Sequence, residues 1–302
     1  MKKDLLSLYD LDRADFDTVF EKARELKRIQ REGKTYTPLM GKTLGMIFDK
    51  SSTRTRISFE VGIYQLGGMA LFLSNRDTQL GRGEDVSDTA KIMSRYLDAV
   101  VIRIYSQKFV EEFARYATIP VINGLTDLQH PCQILSDLFT IIEQRGSYEM
   151  IKVVYIGDGN NVANSWVDAA ARLPFQLVFA CPEGHEPDAD ILSRGMKEAK
   201  GGIRLYRDPR EAAQSADVIY TDVWTSMGQE GQREERKKIF KGYQVNEKLL
   251  ARARGDVIVM HCLPAHRGEE ITDGVIDGPR SVVLDQAENR LHVQKAIMSI
   301  LI

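Results

Sequence analysis

Short apolar runs alternate with amphipathic segments along nearly the whole chain. The runs TLGMIFD (43–49) and AVVIRIY (99–105) are typical of buried strands, whereas ISFEVGIYQL (57–66) has the spacing of a helix. A second series begins with IKVVYIGD, shortly after a helical segment that closes at Gly146. Because strands that alternate with helices form mostly parallel sheets, the pattern predicts an α/β fold of two doubly wound domains linked by helices.

The expected domain boundary lies near Gly146 to Glu149, at the end of the helical segment that begins at Pro131. This segment opens with proline, which is tolerated in the first turn of a helix. We therefore predict a first domain at 1–146 and a second at 147–286. The last amphipathic segment, 287–302, is expected to form a helix that packs back on the first domain.

Composition narrows the possible functions. The 302 residues are 43% hydrophobic and 28% charged, with a formal net charge of -2. This balance is typical of a globular protein and offers no overall positive field for nucleic acid or a membrane surface. The N-terminal pattern is unlike a secretory signal or a transit peptide, and no apolar run reaches the roughly 20 residues of a membrane helix.

The cysteines indicate the compartment. Cys132, Cys181 and Cys262 are odd in number, far apart and without the spacing of a metal site. We expect a reduced, cytoplasmic setting.

Hydroxyl and guanidinium groups cluster where the first strand gives way to a helix. Ser52, Thr53 and Thr55 supply hydroxyl donors there, and Arg54 can grip two oxygens of one anion. Exposed backbone N–H groups and the helix dipole favour an anion at such a place. The density of donors suits a tetrahedral dianion, although a helix cap with solvated arginines would use the same residue types.

Two nucleotide-binding patterns are absent or incomplete. The chain contains no GxxxxGK[ST] string, which argues against a Walker P-loop. The turn GDGNNV (157–162) has the first two glycines of GxGxxG, but Val162 stands at the third position, which disfavours NAD. Three asparagines at this turn could bind a polar ligand or form the turn and cap the helix: Asn160, Asn161 and Asn164.

Four motifs occur in a recognisable order: STRTR (52–56), HPCQ (130–133), DVWTSMG (222–228) and HCLPAHRG (261–268). Together they resemble the aspartate/ornithine carbamoyltransferase family, and SMG and HCLP resemble its ornithine branch. The resemblance implies transfer of a carbamoyl group from carbamoyl phosphate to the δ-amine of L-ornithine, giving L-citrulline and phosphate. It implies no metal, no organic cofactor and a homotrimer or a multiple of trimers.

The resemblance also assigns roles. In the carbamoyl phosphate site, the hydroxyl cluster cradles the phosphate, His130 donates to the carbonyl oxygen, and Gln133 and the Leu263 carbonyl hold the NH₂ group. The residues it places in this site are Ser52, Thr53, Arg54, Thr55, Gln79 of a neighbouring subunit, Arg103, His130, Gln133, Cys262, Leu263 and Arg290. Those expected to carry catalysis are Arg54, Arg103, His130 and Cys262, without a covalent thiol intermediate. Those expected to bind ornithine are Asn164, Asp222, Ser226 and Met227.

The same motifs help to distinguish between related activities. Aspartate carbamoyltransferases resemble the chain at STRTR but carry a lysine in the mobile loop, whereas no lysine lies between Lys50 and Lys91 here. Putrescine enzymes share HCLPA but are expected to lack SMG, since putrescine has no α-carboxylate. Modified ornithines remain open, as does the direction of the reaction. A non-catalytic anion-binding protein on this fold is the remaining alternative.

Overall fold

We describe the fold from a computed structural model, which describes residues 2–50, 52–74, 83–225, 228 and 230–302. The chain divides into two compact units. Unit 1 comprises Met1–Phe139 and Glu288–Ile302, and unit 2 comprises Thr140–Ala287. The divisions lie within two long helices, Pro131–Arg145 and Val283–Leu301.

Unit 1 is built on a four-stranded parallel sheet. Its strands are β1 (Thr43–Phe48), β2 (Met69–Ser74), β3 (Ala99–Arg103) and β4 (Val121–Leu125). Its helices are α1 (Arg13–Arg31), α2 (Thr53–Gln65), α3 (Val86–Tyr96), α4 (Gln107–Tyr116), the first part of α5 (Pro131–Arg145) and most of α12 (Val283–Leu301). The sheet order is β2-β1-β3-β4. After β1 the chain adds β2 on one side of it, and then adds β3 and β4 on the other side. A topological switch point therefore lies between β1 and β3.

Unit 2 is built on a five-stranded parallel sheet. Its strands are β5 (Lys152–Ile156), β6 (Gln176–Ala180), β7 (Ile203–Tyr206), β8 (Val218–Thr221) and β9 (Ile258–His261). Its own helices are α6 (Asn161–Arg172), α7 (Ala189–Glu198), α8 (Pro209–Ala212), α9 (Arg233–Phe240), α10 (Glu247–Leu250) and α11 (Asp273–Ile276). The order β7-β6-β5-β8-β9 places a switch point between β5 and β8.

The predicted fold class, two α/β domains with parallel sheets, is confirmed. The start of α2 differs from the predicted one, since the helix begins at Thr53 rather than at Ile57. Ser52 caps this helix by accepting a hydrogen bond from the Thr55 N–H at 3.1 Å. The polar motif STRTR is therefore the first turn of the helix rather than a loop that precedes it.

Aromatic packing sets the position of the central strands of unit 2. Trp166 of α6 is fully buried, and its ring meets that of Tyr220 edge to face at 5.6 Å. Tyr220 stacks in turn on Tyr155 of β5, with ring centroids 5.6 Å apart. Such pairs add to the energy of apolar burial, so they fix β5, β8 and α6 relative to one another. Among the described helices, none combines the length and the apolar character needed to cross a membrane.

Close backbone approach at Gly159 shapes the turn after β5. A Cβ at this position would overlap the backbone of Glu186 and Pro187 in the segment after β6. The Gly159 N–H also donates to the His185 carbonyl at 2.8 Å. Glycine is thus required by the contact between two turns at the carboxyl edge of the sheet.

We predict that Gly159→Ala lowers the free energy of unfolding by about 1–3 kcal/mol, since backbone atoms cannot move aside as a flexible side chain could. Gly255→Ala is the matched control, because a Cβ there meets nothing within 4 Å. Thermal melting of both variants measures the difference. Equal melting temperatures for the two variants would contradict the proposed overlap.

Candidate active site

The carboxyl ends of β1, β3 and β4 bring the polar groups of unit 1 together. Phe48 pairs with Arg103 in the β1–β3 register, so the residues that follow β1 lie beside the end of β3. His130 follows β4 through a turn in which the Thr126 hydroxyl accepts from the Gln129 N–H at 3.0 Å. Neighbouring parallel strands therefore deliver side chains to one edge of the sheet.

The residues of the STRTR turn differ in their structural role and in their exposure to solvent. Ser52 is the helix cap, whereas Thr53 is exposed and Arg54 is half-buried. Thr55 is buried, and its hydroxyl accepts a hydrogen bond from Arg290 Nη2 at 2.6 Å. The structure thus joins two predicted site residues that lie 235 positions apart in the chain.

His130 is buried among cations. Burial, followed by the charges of Arg290, Arg103 and Lys50, lowers the pKa of His130 well below its usual range. The imidazole is therefore neutral at physiological pH and can donate from one nitrogen. The same three cations make this edge of the sheet attractive to an anion.

Lys50 is a residue that the sequence reasoning passed over. It is buried, pairs with Asp127, and holds its ammonium 4.2 Å from the centroid of the Tyr105 ring. The available signal was a lysine directly after a buried strand and directly before the hydroxyl cluster. Its positive charge contributes to lowering the pKa of His130, so Lys50 is part of the electrostatic environment of the candidate site.

Gln133 and Cys132 behave differently although they are neighbours. Gln133 is 1% exposed, and its Nε2 donates to Asp137 Oδ1 at 2.8 Å. Its buried Oε1 has no hydrogen-bond partner within the described part of the chain, so it is an acceptor suited to a donor on a ligand. Cys132 is packed in the core, where burial raises the pKa of its thiol to about 12.

The corresponding edge of unit 2 is assembled by strand register. Ile156, Thr221 and His261 are aligned across β5, β8 and β9. The next residue on β8 is Asp222 and the next on β9 is Cys262, whose Sγ donates to Asp222 Oδ1 at 2.9 Å. Two predicted site residues that are 40 positions apart are therefore in contact.

The three asparagines of the turn after β5 have distinct surroundings. Asn160 caps α6 and its Nδ2 donates to Asp222 Oδ2 at 2.7 Å. Asn164 is buried, and its Oδ1 accepts from the Asp188 N–H at 2.8 Å. Asn161 opens α6 and is half-buried, which makes it more accessible than Asn164.

The HCLP segment is held by a histidine that the sequence reasoning left without a role. His261 Nδ1 accepts from the Leu263 N–H at 2.9 Å, and its Nε2 lies 3.0 Å from the buried carboxylate of Glu270. Accepting at Nδ1 assigns the proton to Nε2. Leu263 adopts a φ of 56°, a conformation that is uncommon for a residue with a side chain. These contacts fix the direction of its carbonyl.

A second overlooked group anchors the chain after β8. Arg236 of α9 lies with Nη2 2.6 Å from Asp158 Oδ2, and its Nε donates to the carbonyl of Trp224. Burial raises the pKa of Asp158, and the charge of Arg236 opposes that rise.

Three predicted site residues lie outside the described residues: Gln79, Ser226 and Met227.

The comparisons with known proteins agree along the chain. Residues 3–143 match the family described as aspartate/ornithine carbamoyltransferase, carbamoyl-P binding domain. Residues 149–301 match the Asp/Orn binding domain of that family. The ornithine carbamoyltransferase of Syntrophus aciditrophicus is 71% identical over 302 residues, covering 100% of both chains.

Solved structures give the same result. The ornithine carbamoyltransferase of Pyrococcus furiosus matches with a TM-score of 0.96 and 53% identity, over 99% of this chain and 96% of that one. The enzyme of Burkholderia thailandensis matches with a TM-score of 0.91 and 46% identity, over 99% and 98% of the two chains. The chain belongs to the aspartate/ornithine carbamoyltransferase family.

Proposed function

We propose that the chain transfers the carbamoyl group of carbamoyl phosphate to the δ-amine of L-ornithine, giving L-citrulline and phosphate. The observation that carries the proposal is the neutral, buried imidazole of His130 surrounded by Arg103, Arg290 and Lys50. This arrangement offers a hydrogen-bond donor for a polarised carbonyl and positive charge for a phosphate. The relatives named as ornithine carbamoyltransferases support the choice of substrate.

The phosphate is bound at the start of α2. The first N–H groups of a helix point toward an anion, and the helix dipole favours negative charge there. Thr53 and Arg54 are accessible at this turn, and Arg290 is held against Thr55. Because charge accumulates on the phosphate as it leaves, these groups stabilise the transition state more than the ground state.

The carbamoyl group is held by unit 1 residues at the end of β3 and after β4. We assign to His130 a hydrogen bond to the carbonyl oxygen, supported by the charge of Arg103, as negative charge develops on that oxygen. Gln133 Oε1 accepts from the carbamoyl NH₂, while Asp137 fixes the orientation of the amide. A neutral histidine serves this role because its proton is kept for donation rather than transferred.

The amine is bound by unit 2. Asp222 pairs with a substrate ammonium, Asn164 and the Ser226–Met227 backbone bind the amino-acid end, and the Leu263 carbonyl accepts from the carbamoyl NH₂. The half-buried Asn161 is a further candidate for this end. The δ-amine has a Lys-like pKa of about 10.4, so it must lose a proton before it attacks. Attack forms the C–N bond, the C–O bond to phosphate breaks, and phosphate can accept the proton. Cys262 borders the amine without forming a covalent bond.

The substrate is tested by incubating the purified chain with carbamoyl phosphate and, in parallel, L-ornithine, putrescine or L-aspartate. We expect carbamoylated product with L-ornithine, and at most about 1% of that rate with the other two amines, because each lacks one of the groups that the proposed site recognises. Equal or faster carbamoylation of putrescine would contradict the assignment. The relative from Pyrococcus furiosus is described as anabolic, and we propose the biosynthetic direction here.

We expect His130→Ala to lower kcat about 100-fold or more, the usual effect of losing one donor to a developing oxyanion. His130→Asn keeps an N–H donor and should recover part of this loss. Because the pKa of His130 is well below its usual range, wild type and His130→Asn should share one pH profile of kcat between about pH 6 and 8. The binding constant for carbamoyl phosphate is the control, and an unchanged kcat in His130→Ala would remove the assignment.

We also propose a homotrimer. Strand β2 is an edge strand with exposed apolar side chains, including Met69, Leu71 and Phe72, and Ile57 of α2 is exposed as well. A long apolar edge favours pairing with another chain unless it is covered. The family resemblance places Gln79 of one subunit in the site of the next.

Light scattering after gel filtration should give a mass of three times 34.2 kDa. Leu71→Asp should lower this mass, because it places a charge on the apolar edge. Met196→Asp alters an equally exposed side chain on α7 of unit 2 and should leave the mass unchanged. A single-chain mass for wild type would refute the trimer.

A further inference from the structure

We propose that Asn160 is a positioning residue for substrate binding: its amide holds the carboxylate of Asp222 in the orientation that receives the ammonium of the amino-acid substrate. This inference rests on the proposed function and adds a residue to which the family resemblance assigned no role.

The orientation of the Asn160 amide is determined by its donors. Its Oδ1 accepts from the Val162 N–H at 2.9 Å, the Ala163 N–H at 3.3 Å and the Tyr155 hydroxyl at 3.1 Å. Three donors around one atom identify that atom as the oxygen. The nitrogen of the amide must therefore face Asp222, where the distance from Nδ2 to Oδ2 is 2.7 Å.

Tyr155 strengthens this assignment because its hydroxyl stays protonated. Burial, followed by the charges of Asp222 and Asp158, raises the pKa of Tyr155 well above its usual value. The ring is also locked by stacking on Tyr220 and by contact with Phe179 at 5.7 Å. The donor that orients the amide is thus itself rigid.

Asp222 is held at both oxygens. Oδ1 accepts from the Val223 N–H at 2.8 Å and from Cys262 Sγ at 2.9 Å, while Oδ2 accepts from Asn160. An ionised carboxylate has about four lone-pair positions. Three are occupied by donors in the described part of the chain, which leaves about one, on Oδ2, for a ligand. Since Asn160 occupies the other lone pair of Oδ2, it determines the direction from which an ammonium can approach.

Asn160 has two separable roles, capping α6 and orienting Asp222. A serine keeps the oxygen that caps the helix, since serine is as good a cap as asparagine. It is too short to bring a donor to Asp222. Asn160→Ser therefore removes the second role while keeping the first, and Asn160→Thr does the same with a bulkier side chain. Asn246→Ser is the matched control, because Asn246 caps α10 by accepting from the Leu249 N–H at 3.1 Å.

Steady-state kinetics of wild type and the three variants test the inference. We expect Asn160→Ser to raise the KM for L-ornithine about tenfold, the usual effect of losing a hydrogen bond to a charged group. The KM for carbamoyl phosphate should change by less than about twofold, and Asn246→Ser should change neither KM. A general loss of structure would instead raise both KM values together.

The result that overturns the inference is an unchanged KM for ornithine in a variant that melts cooperatively, or an equal rise of both KM values. Thermal melting establishes which variants are folded, and Asn160→Thr replaces Asn160→Ser if the latter is not. Failure of the proposed function is distinguishable, because the wild-type chain would then form no citrulline at all.

Discussion

The buried cations at the carboxyl ends of β1 and β3 impose the main constraint on unit 1. Charge in a protein interior is costly unless it is compensated, and Lys50 is compensated by Asp127 and the face of Tyr105. His130 responds by remaining neutral, which turns a titratable group into a fixed hydrogen-bond donor. A dianionic ligand placed here would be attracted by every cation of the group, and this attraction is the basis of the phosphate binding that we propose.

Parallel sheet topology determines where this chemistry can occur. In each unit the strand order reverses beside the first strand of that unit, β1 or β5, and side chains that follow the adjacent strands meet at one edge. In unit 1 the edge collects cations and a helix N-terminus, which suit an anion. In unit 2 it collects a carboxylate, a thiol and amides, which suit an ammonium. We therefore propose that the same architecture serves two ligands of opposite charge through the residues placed at its switch points.

The polar groups of unit 2 are ordered by chains of hydrogen bonds. Tyr155, Asn160, Asp222 and Cys262 form one continuous series. His261 and Glu270 form another, which ends on the N–H of Leu263. Hydrogen bonds within a buried network restrict the motion of its members, and rigid groups stabilise a transition state without reorganising when it forms. The aromatic core beneath them, with Trp166 at its centre, provides the support.

The sequence by itself determined the fold class and supplied most residues of the candidate site. Periodicity is a local property, so buried strands such as β1 and β3 and the helix that opens at Pro131 could be read directly. The four motifs likewise predicted Arg54, His130, Asp222 and Cys262 as site residues. Tertiary structure alone decided which of these residues are in contact and what surrounds each one. Three features depend on strand register and on charges that are distant in the chain. They are the pairing of Arg290 with Thr55, the burial that keeps His130 neutral, and the proposed roles of Lys50 and Asn160. No local pattern encodes such long-range contacts, whereas the cap that Ser52 forms with the Thr55 N–H spans only three residues and could be anticipated from the sequence.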